Sequence, residues 1–478
     1  MASRPKERST SKSSLFDLPE DRLATTTTKG DRVYLYPAKV KGLYKTLRMY
    51  LYYALVLFFL ILPWIQINGR PIVLLDVFHR KFILFGMTFW AHEAPVLVLV
   101  FLLFVLSIGL ITALFGRVWC GWACPQTVFL EAIFNRIEAF VEGVGLSRKR
   151  LDEAPISVRK LRLKATKWFL FFLVTLVINH SFLAYFVGAE KVLEMVQQSP
   201  VEHPGSFLLI VISSIIILFN FGWFREQFCI IACPYGRLQS VLMDDNSLVV
   251  GYDGQRGEPR KKDRHDDAST GDCINCYRCV QVCPTGIDIR RGTQMECIMC
   301  TACIDACDQV MDKLDKPKGL IRLDSENKLN GKETGFFRPR VWVYSILIIL
   351  VASIFAYVVS HRNMVPVFAK RSASPPYRLV ADEYVQNQFN FTIRNQYFFP
   401  ITLSFFLSDL DKEKGVRLVQ PFAQIPIAEG GKMTYTIFVQ FPKRVLEQGA
   451  YQLNVQKTIS HSKAEHRKSQ ELTLIGPR

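Results

Sequence analysis

The amino-acid sequence predicts a multi-domain fold: an α-helical membrane bundle of five transmembrane helices, a compact cysteine-rich module and a C-terminal immunoglobulin-like β-sandwich. Three observations predict it. Apolar residues, 50% of the 478, fall into long runs rather than periodic faces, the pattern a bilayer selects. Eight cysteines between Cys273 and Cys307 repeat one spacing twice. From about residue 377 onward, segments such as F-N-F-T-I, I-T-L-S-F-F-L, M-T-Y-T-I-F-V and Y-Q-L-N-V alternate apolar and polar residues with the period of a strand.

The five apolar runs cover residues 49–67, 94–115, 168–187, 206–223 and 341–360. Each is long enough to cross a hydrocarbon layer of about 30 Å at about 1.5 Å per residue. Five spans divide the chain into a basic, disordered tail (1–48), a four-helix membrane domain (49–240), a cysteine-rich domain (241–340), a fifth helix (341–360) and an outer β-domain (361–478). The tail follows from charge and a Ser/Thr-rich stretch around Thr25 to Thr28, with no apolar core at a signal peptide's distance.

Charge orients these parts. The 59 Lys and Arg against 42 Asp and Glu leave a net charge of +17. The basic residues flank the apolar runs on one side: in the tail, in 116–164 and in 225–340, while the loops 66–93 and 188–205 carry few. That asymmetry is the one a membrane requires, so nucleic acid is excluded as the partner and lipid is expected. The tail and the cysteine-rich domain are then cytoplasmic, and everything after Ser360 lies outside, in the periplasm if the membrane is a bacterial inner one. Cysteine usage agrees independently. All twelve cysteines lie in four motifs ending at Cys307, which suits a reducing compartment and metal chemistry rather than a disulfide framework.

The run C-I-N-C-Y-R-C-V-Q-V-C-P and its echo C-I-M-C-T-A-C-I-D-A-C-D each space three cysteines by two residues and a fourth by three more. This is the spacing of a bacterial-type module with two 4Fe-4S clusters, in which the fourth Cys of each run ligates the other cluster. Cys273, Cys276, Cys279 and Cys307 are the expected ligands of one cluster, and Cys297, Cys300, Cys303 and Cys283 of the second. Zinc knuckles are disfavoured, because they pair ligands across a dozen or so residues and no His lies inside the run.

A second pattern is doubled. After the second span comes W-C-G-W-A-C-P, and after the fourth F-C-I-I-A-C-P. Each closes a two-helix hairpin on the basic side. On a helix, Cys120 and Cys124, or Cys229 and Cys233, would lie one turn apart on one face, so four thiols converge beneath the cluster module. Soft thiolates select Cu(I), zinc or iron–sulfur, and the alternatives of a soft monovalent metal such as copper, a redox dithiol pair or a further cluster stay open. His79, His92, His180 and His203 map to the opposite side, without ligand spacing, and read as satisfied or solvated. His92-Glu93 marks a candidate site for quinol deprotonation by position alone, and the run 260–264 a lipid-facing basic cluster.

Together, the doubled C-x-x-A-C-P, the two cysteine runs, the continuation C-I-D-A-C-D-Q-V-M-D-K-L-D-K-P-K-G-L-I and the outer β-domain resemble the CcoG/FixG/RdxA family of cytochrome oxidase accessory proteins. The resemblance covers nearly the whole chain after the tail. It implies a bacterial inner-membrane oxidoreductase that reduces Cu(II) to Cu(I) for assembly of a cbb-type cytochrome c oxidase. Cys120, Cys124, Cys229 and Cys233 would be the catalytic and copper-binding residues, and oxidase assembly factors or a copper chaperone or transporter the partners. Through the spans and cysteine motifs alone the chain is also similar to the membrane ferredoxins of nitrate and nitrous oxide respiration. Two other functions compete: an electron-transfer subunit carrying electrons from quinol or a soluble donor to a partner protein, and an assembly scaffold whose clusters are structural. No nucleotide or flavin motif names the donor.

Overall fold

The computed structural model describes residue 25 and residues 32–67, 70–77, 81–84, 87–90, 94–260, 271–335, 338–361, 363–372, 375–381, 383–397, 399–447, 449–461 and 464–477. His79, His92, Glu93 and most of the basic run 260–264 lie outside these. The chain divides into two units, residues 1–355 and 356–478.

Among the described residues five helices are long and apolar enough to cross a membrane: Leu43–Trp64, Pro95–Phe115, Val158–Val187, Pro204–Phe224 and Pro339–Ser360. The first starts six residues before the expected Met49. Its amino end is capped from far along the chain, where the Asp305 carboxylate accepts from the backbone N–H groups of Tyr44 and Lys45 at 3.2 and 2.7 Å. Gly42 is required here, because a Cβ would collide with the Asp305 carboxylate. The third helix starts ten residues before the expected Trp168 and ends, as expected, at Val187. Ser157 caps it through Lys160 N at 3.2 Å, and its first turns carry Arg159, Lys160, Arg162 and Lys164. Apolar content marks only the part in lipid, whereas helical hydrogen bonding runs on past it.

The helices pack through aromatic rings and one buried ion network. Phe134 stacks on Phe221 at 4.6 Å and meets Phe171 edge-on at 4.9 Å. Next to them Glu138, almost fully buried, accepts from Arg148 at 2.5 Å and Arg225 at 2.7 Å, with Lys167 at 3.7 Å. Burial raises the Glu138 carboxyl, and the three cations outweigh it, holding the group below its ordinary value. The loop 66–93 holds a three-stranded antiparallel sheet (Val73–Asp76, Lys81–Leu84, Met87–Trp90) that buries Leu74, Ile83 and Phe89.

The cysteine-rich module sits on the ends of these helices. Antiparallel strands Leu248–Tyr252 and Ile321–Ser325 flank it; helix Arg278–Gln281 carries Cys279 of the first cysteine run, and helix Ala302–Lys313 carries Cys303 and Cys307 of the second. Its root is fastened at the Ala113 carbonyl of the second membrane helix, which accepts from Ser247 Oγ at 2.7 Å and from Arg338 at 3.1 Å.

The second unit is a β-sandwich. One sheet orders its strands as Arg417–Val419, Lys432–Pro442, Tyr384–Arg394 and Val367–Arg371, with Arg378–Ala381 also on Tyr384–Arg394. The other orders them as Ile425–Ile427, Ile401–Leu407, Ala450–His461 and Ala464–Ile475. Alternation of the kind seen in F-N-F-T-I buries Phe389, Phe391 and Ile393 against Leu403, Phe405 and Leu453 of the facing sheet. Asn387 bridges the sheets, donating to the Ile475 carbonyl and accepting from the Ile475 N–H, both at 2.8 Å.

Candidate functional site

The two cysteine runs fold into pseudo-equivalent loops with a shared backbone device. Asn275 and Tyr277 flank Cys276, and Met299 and Thr301 flank Cys300; all four have φ between 53° and 59°. Left-handed residues on both sides of the middle cysteine turn successive N–H groups inward, a nest suited to sulfur anions. Cys273, Cys276, Cys279 and Cys307 line one cavity. Cys283, Cys297, Cys300 and Cys303 line a neighbouring one, with Cys279 at the shared wall. The fourth cysteine of each run has thus crossed to the other set, as the spacing predicts.

The donor set fits clusters. Burial drives Cys279, Cys297 and Cys307 up to about 12 and Cys283 to about 11, and pushes Cys303 well above the ordinary value. At Cys307 the neighbours Cys279, Cys276 and Cys273 add to it, and at Cys303 Cys300, Cys297 and Cys283 do. Thiolates gathered in so dry a chamber need a polycationic core among them. Among the described residues, no three His, Cys, Asp or Glu side chains are placed to hold a single metal ion, those of both cavities and of the doubled motif included.

The doubled membrane motif departs from the expected geometry. Neither C-x-x-x-C pair shares a helix. Cys120 lies in the short helix Val118–Trp122, but Cys124 is extended (φ −63°, ψ 127°) and begins the next helix. Cys229 lies in a π-helical turn, Phe228–Ala232, and Cys233 is again extended (φ −75°, ψ 112°). The cause is the proline after each: Pro125 and Pro234 exclude the helical region for the residue before them and take the first helical position themselves. The four thiols still come near one another: Cys229 interacts electrostatically with Cys124, Cys120 and Cys233, and Cys120 with Cys124 and Cys233. Burial first, then these neighbours, raises Cys120 to about 12 and Cys229 further. Cys120 Sγ donates to Gln239 Oε1 at 3.3 Å, and Gln239 is wholly buried with its Nε2 unpartnered.

This thiol group abuts the second cysteine set. Cys120 and Cys229 pack on the apolar shell of Val282, Ile298, Cys300 and Ala302. Gly121 lies so close that a Cβ would strike the Ile298 and Met299 carbonyls. Arg117 donates to the carbonyls of Met295 and, at 2.6 Å, Gly236. Arg48 donates to the Cys300 carbonyl and the Tyr52 hydroxyl to that of Gly121. Sequence reasoning passed over Arg117, Gly121, Arg48 and Gln239. The glycine inside W-C-G-W was the available signal. Of the four histidines singled out in the sequence, His180 bonds to the Leu176 carbonyl at 2.7 Å and His203 to Gln198 at 2.6 Å.

Membrane helices carrying cysteine-lined cavities define a multi-pass membrane iron–sulfur protein of electron transfer. Comparisons agree. Residues 224–326 match the family described as a 4Fe-4S dicluster domain, residues 96–151 a 4Fe-4S binding domain, and residues 355–477 the immunoglobulin-like fold at the C-terminus of FixG. Protein RdxA of Cereibacter sphaeroides is 32% identical over 76% of this chain and 80% of its own, and Protein RdxB of the same organism 33% over 78% and 81%. The nitrogen fixation protein FixG of Rhizobium meliloti is 34% identical over 60% of this chain and 56% of its own. The chain belongs to the FixG/RdxA family.

Proposed function

We propose that this protein reduces Cu(II) to Cu(I) at the four thiols of the doubled membrane motif. The observation that carries the reading is the packing of Cys120 and Cys229 directly on the shell of the second cysteine set. Cys273, Cys276, Cys279 and Cys307 would hold one 4Fe-4S cluster and Cys283, Cys297, Cys300 and Cys303 the other. Such clusters, when bound, supply electrons one at a time. Cu(II) needs one electron to become Cu(I), and soft thiolates hold the product better than the substrate. Cys120, Cys124, Cys229 and Cys233 therefore bias the equilibrium toward reduction by binding, and Gly121 lets their loop pack directly on the Ile298 and Met299 backbone.

The basic flanks of the spans support a cytoplasmic tail and cluster module in a bacterial inner membrane, with the β-domain outside. The resemblance to cytochrome oxidase accessory proteins would make oxidase assembly factors or copper-delivery proteins the partners. The test is the double variant Cys229→Ser, Cys233→Ser in full-length dithionite-reduced protein, scored by bound copper and by the rate at which a chelator captures Cu(I). Loss of both with intact cluster spectra is expected. Unchanged copper binding and rate would leave the electron-relay function, delivery to a partner protein, as the better reading.

A further inference from the structure

We infer that the open cleft between the amino end of the first membrane helix and the second cysteine set is a binding site for a ligand bearing a net-negative phosphate group. The cleft encloses about 1770 Å³ including its open side. Its wall carries seven cations and two carboxylates, Glu131 and Glu226. Both carboxylates are already engaged: Glu131 with Lys45 at 2.6 Å and Arg48 at 3.5 Å, and Glu226 with Arg225 at 3.5 Å. The buried Glu138 behind the wall takes Arg148 and Arg225. Lys39, Lys41 and Arg136 remain without an acidic partner among the described residues, all three exposed at the rim.

A second observation lies deeper. Arg48 lines the cleft, is 2% exposed, and leaves its Nε without a partner. A guanidinium in that state costs free energy until an anion or water reaches it. Phosphate chemistry suits the spare Nε–H of Arg48 flanked by the flexible ammonium groups of Lys39 and Lys41. The tyrosines Tyr50 and Tyr53, exposed on the same helix end, place the opening where lipid headgroups lie. The phosphate could come from an acidic phospholipid or from a soluble phosphate ester. Either would press on the wall formed by Val282, Pro284 and Ala302, residues adjoining Cys283 and Cys303, and on Arg48, which holds the Cys300 carbonyl.

The experiment uses full-length protein in nanodiscs of phosphatidylcholine doped with phosphatidylglycerol, with lipid retained on extraction counted by mass spectrometry. Preferential retention of phosphatidylglycerol is expected. It should fall roughly thirtyfold in affinity in the variant Lys41→Ala, Arg136→Ala, about 1 kcal/mol per basic side chain, and survive in Lys41→Arg, Arg136→Lys. Cluster absorbance reports folding of each variant. Glycerol phosphate added as competitor separates the sources: displacement supports a site open to soluble esters, and failure to displace supports a lipid headgroup site. Equal retention of phosphatidylcholine, or unchanged phosphatidylglycerol affinity in the alanine variant, overturns the inference.

Discussion

Arg117 donates to the Gly236 carbonyl at 2.6 Å, joining a residue three before Cys120 to a residue three after Cys233. The same guanidinium reaches the carbonyl of Met295, two residues before the second cysteine run. One side chain thereby holds three cysteine-bearing segments in register. Arg117→Ala removes its bonds to the part-buried carbonyls of Met295 and Gly236, at about 0.5–1.5 kcal/mol each. We expect both clusters to assemble, but electron transfer from dithionite-reduced protein to added copper to slow. Stopped-flow traces matching the wild type would refute this bracing role.

Gly121 offers a sharper handle on the same contact. A methyl group there must push back the Ile298 and Met299 carbonyls, and overpacking of this kind costs about 1–3 kcal/mol. Gly121→Ala should lower the temperature at which visible cluster absorbance is lost, with the membrane helices still folded by circular dichroism. An unshifted midpoint would mean that the loop gives way freely.

The crossed arrangement of cavities predicts shared spectroscopic fates. Cys307→Ala should remove the same electron paramagnetic resonance signal as Cys279→Ala, because both line the cavity of Cys273. Should Cys307→Ala instead match Cys300→Ala, the pairing is wrong.

Gln239 presents its amide to Cys120 at 3.3 Å and has a spare buried N–H. Gln239→Leu keeps the volume and removes an unsatisfied donor, so stability should hold or rise. If the thiols take copper, its affinity should fall roughly tenfold to a hundredfold, the usual effect of losing a group that orients a ligand. Chelator competition on the purified variant would read this, and equal affinity in variant and wild type would limit Gln239 to packing.

Glu138 governs a pH dependence. Arg225, Arg148 and Lys167 overcome burial and hold its folded value below the ordinary 4.5. The unfolded chain then takes up the proton first as pH falls, so the carboxylate's contribution is complete above about 4.5 and drains away below it. Glu138→Gln should cost about 3–5 kcal/mol, as breaking a buried pair does. The gap in thermal midpoint between variant and wild type should stay flat from neutral pH to about 5 and close only below that. A gap that narrowed between neutral pH and 5 would show another group in control.

Much of this architecture was legible because single physical variables decide it. Run length fixes a span, so the five helices followed from apolar content, and strand alternation exposed the sandwich around Phe391 and Phe405. Spacing exposed the crossing of Cys283 and Cys307, since ligand geometry is carried by chain separation. What escaped depends on several residues at once. Cys124 and Cys233 were assigned to helices although Pro125 and Pro234 already forbid it, a signal present and unused. The three short strands of loop 66–93 carry too few residues for a periodic signal. Nothing in the identities of Tyr277, Met299 and Thr301 announces a left-handed backbone, because the surrounding fold imposes it.

Those left-handed residues bear on how the protein is made. Holding Asn275, Tyr277, Met299 and Thr301 at positive φ costs about 1–2 kcal/mol apiece, and a newly synthesised chain has nothing at hand to offset it. The membrane helices and the β-sandwich can mature on their own terms, driven by apolar burial. The two loops offset that cost only through the ligand bonds their sulfurs make, so cluster loading is expected to be the step that sets their fold.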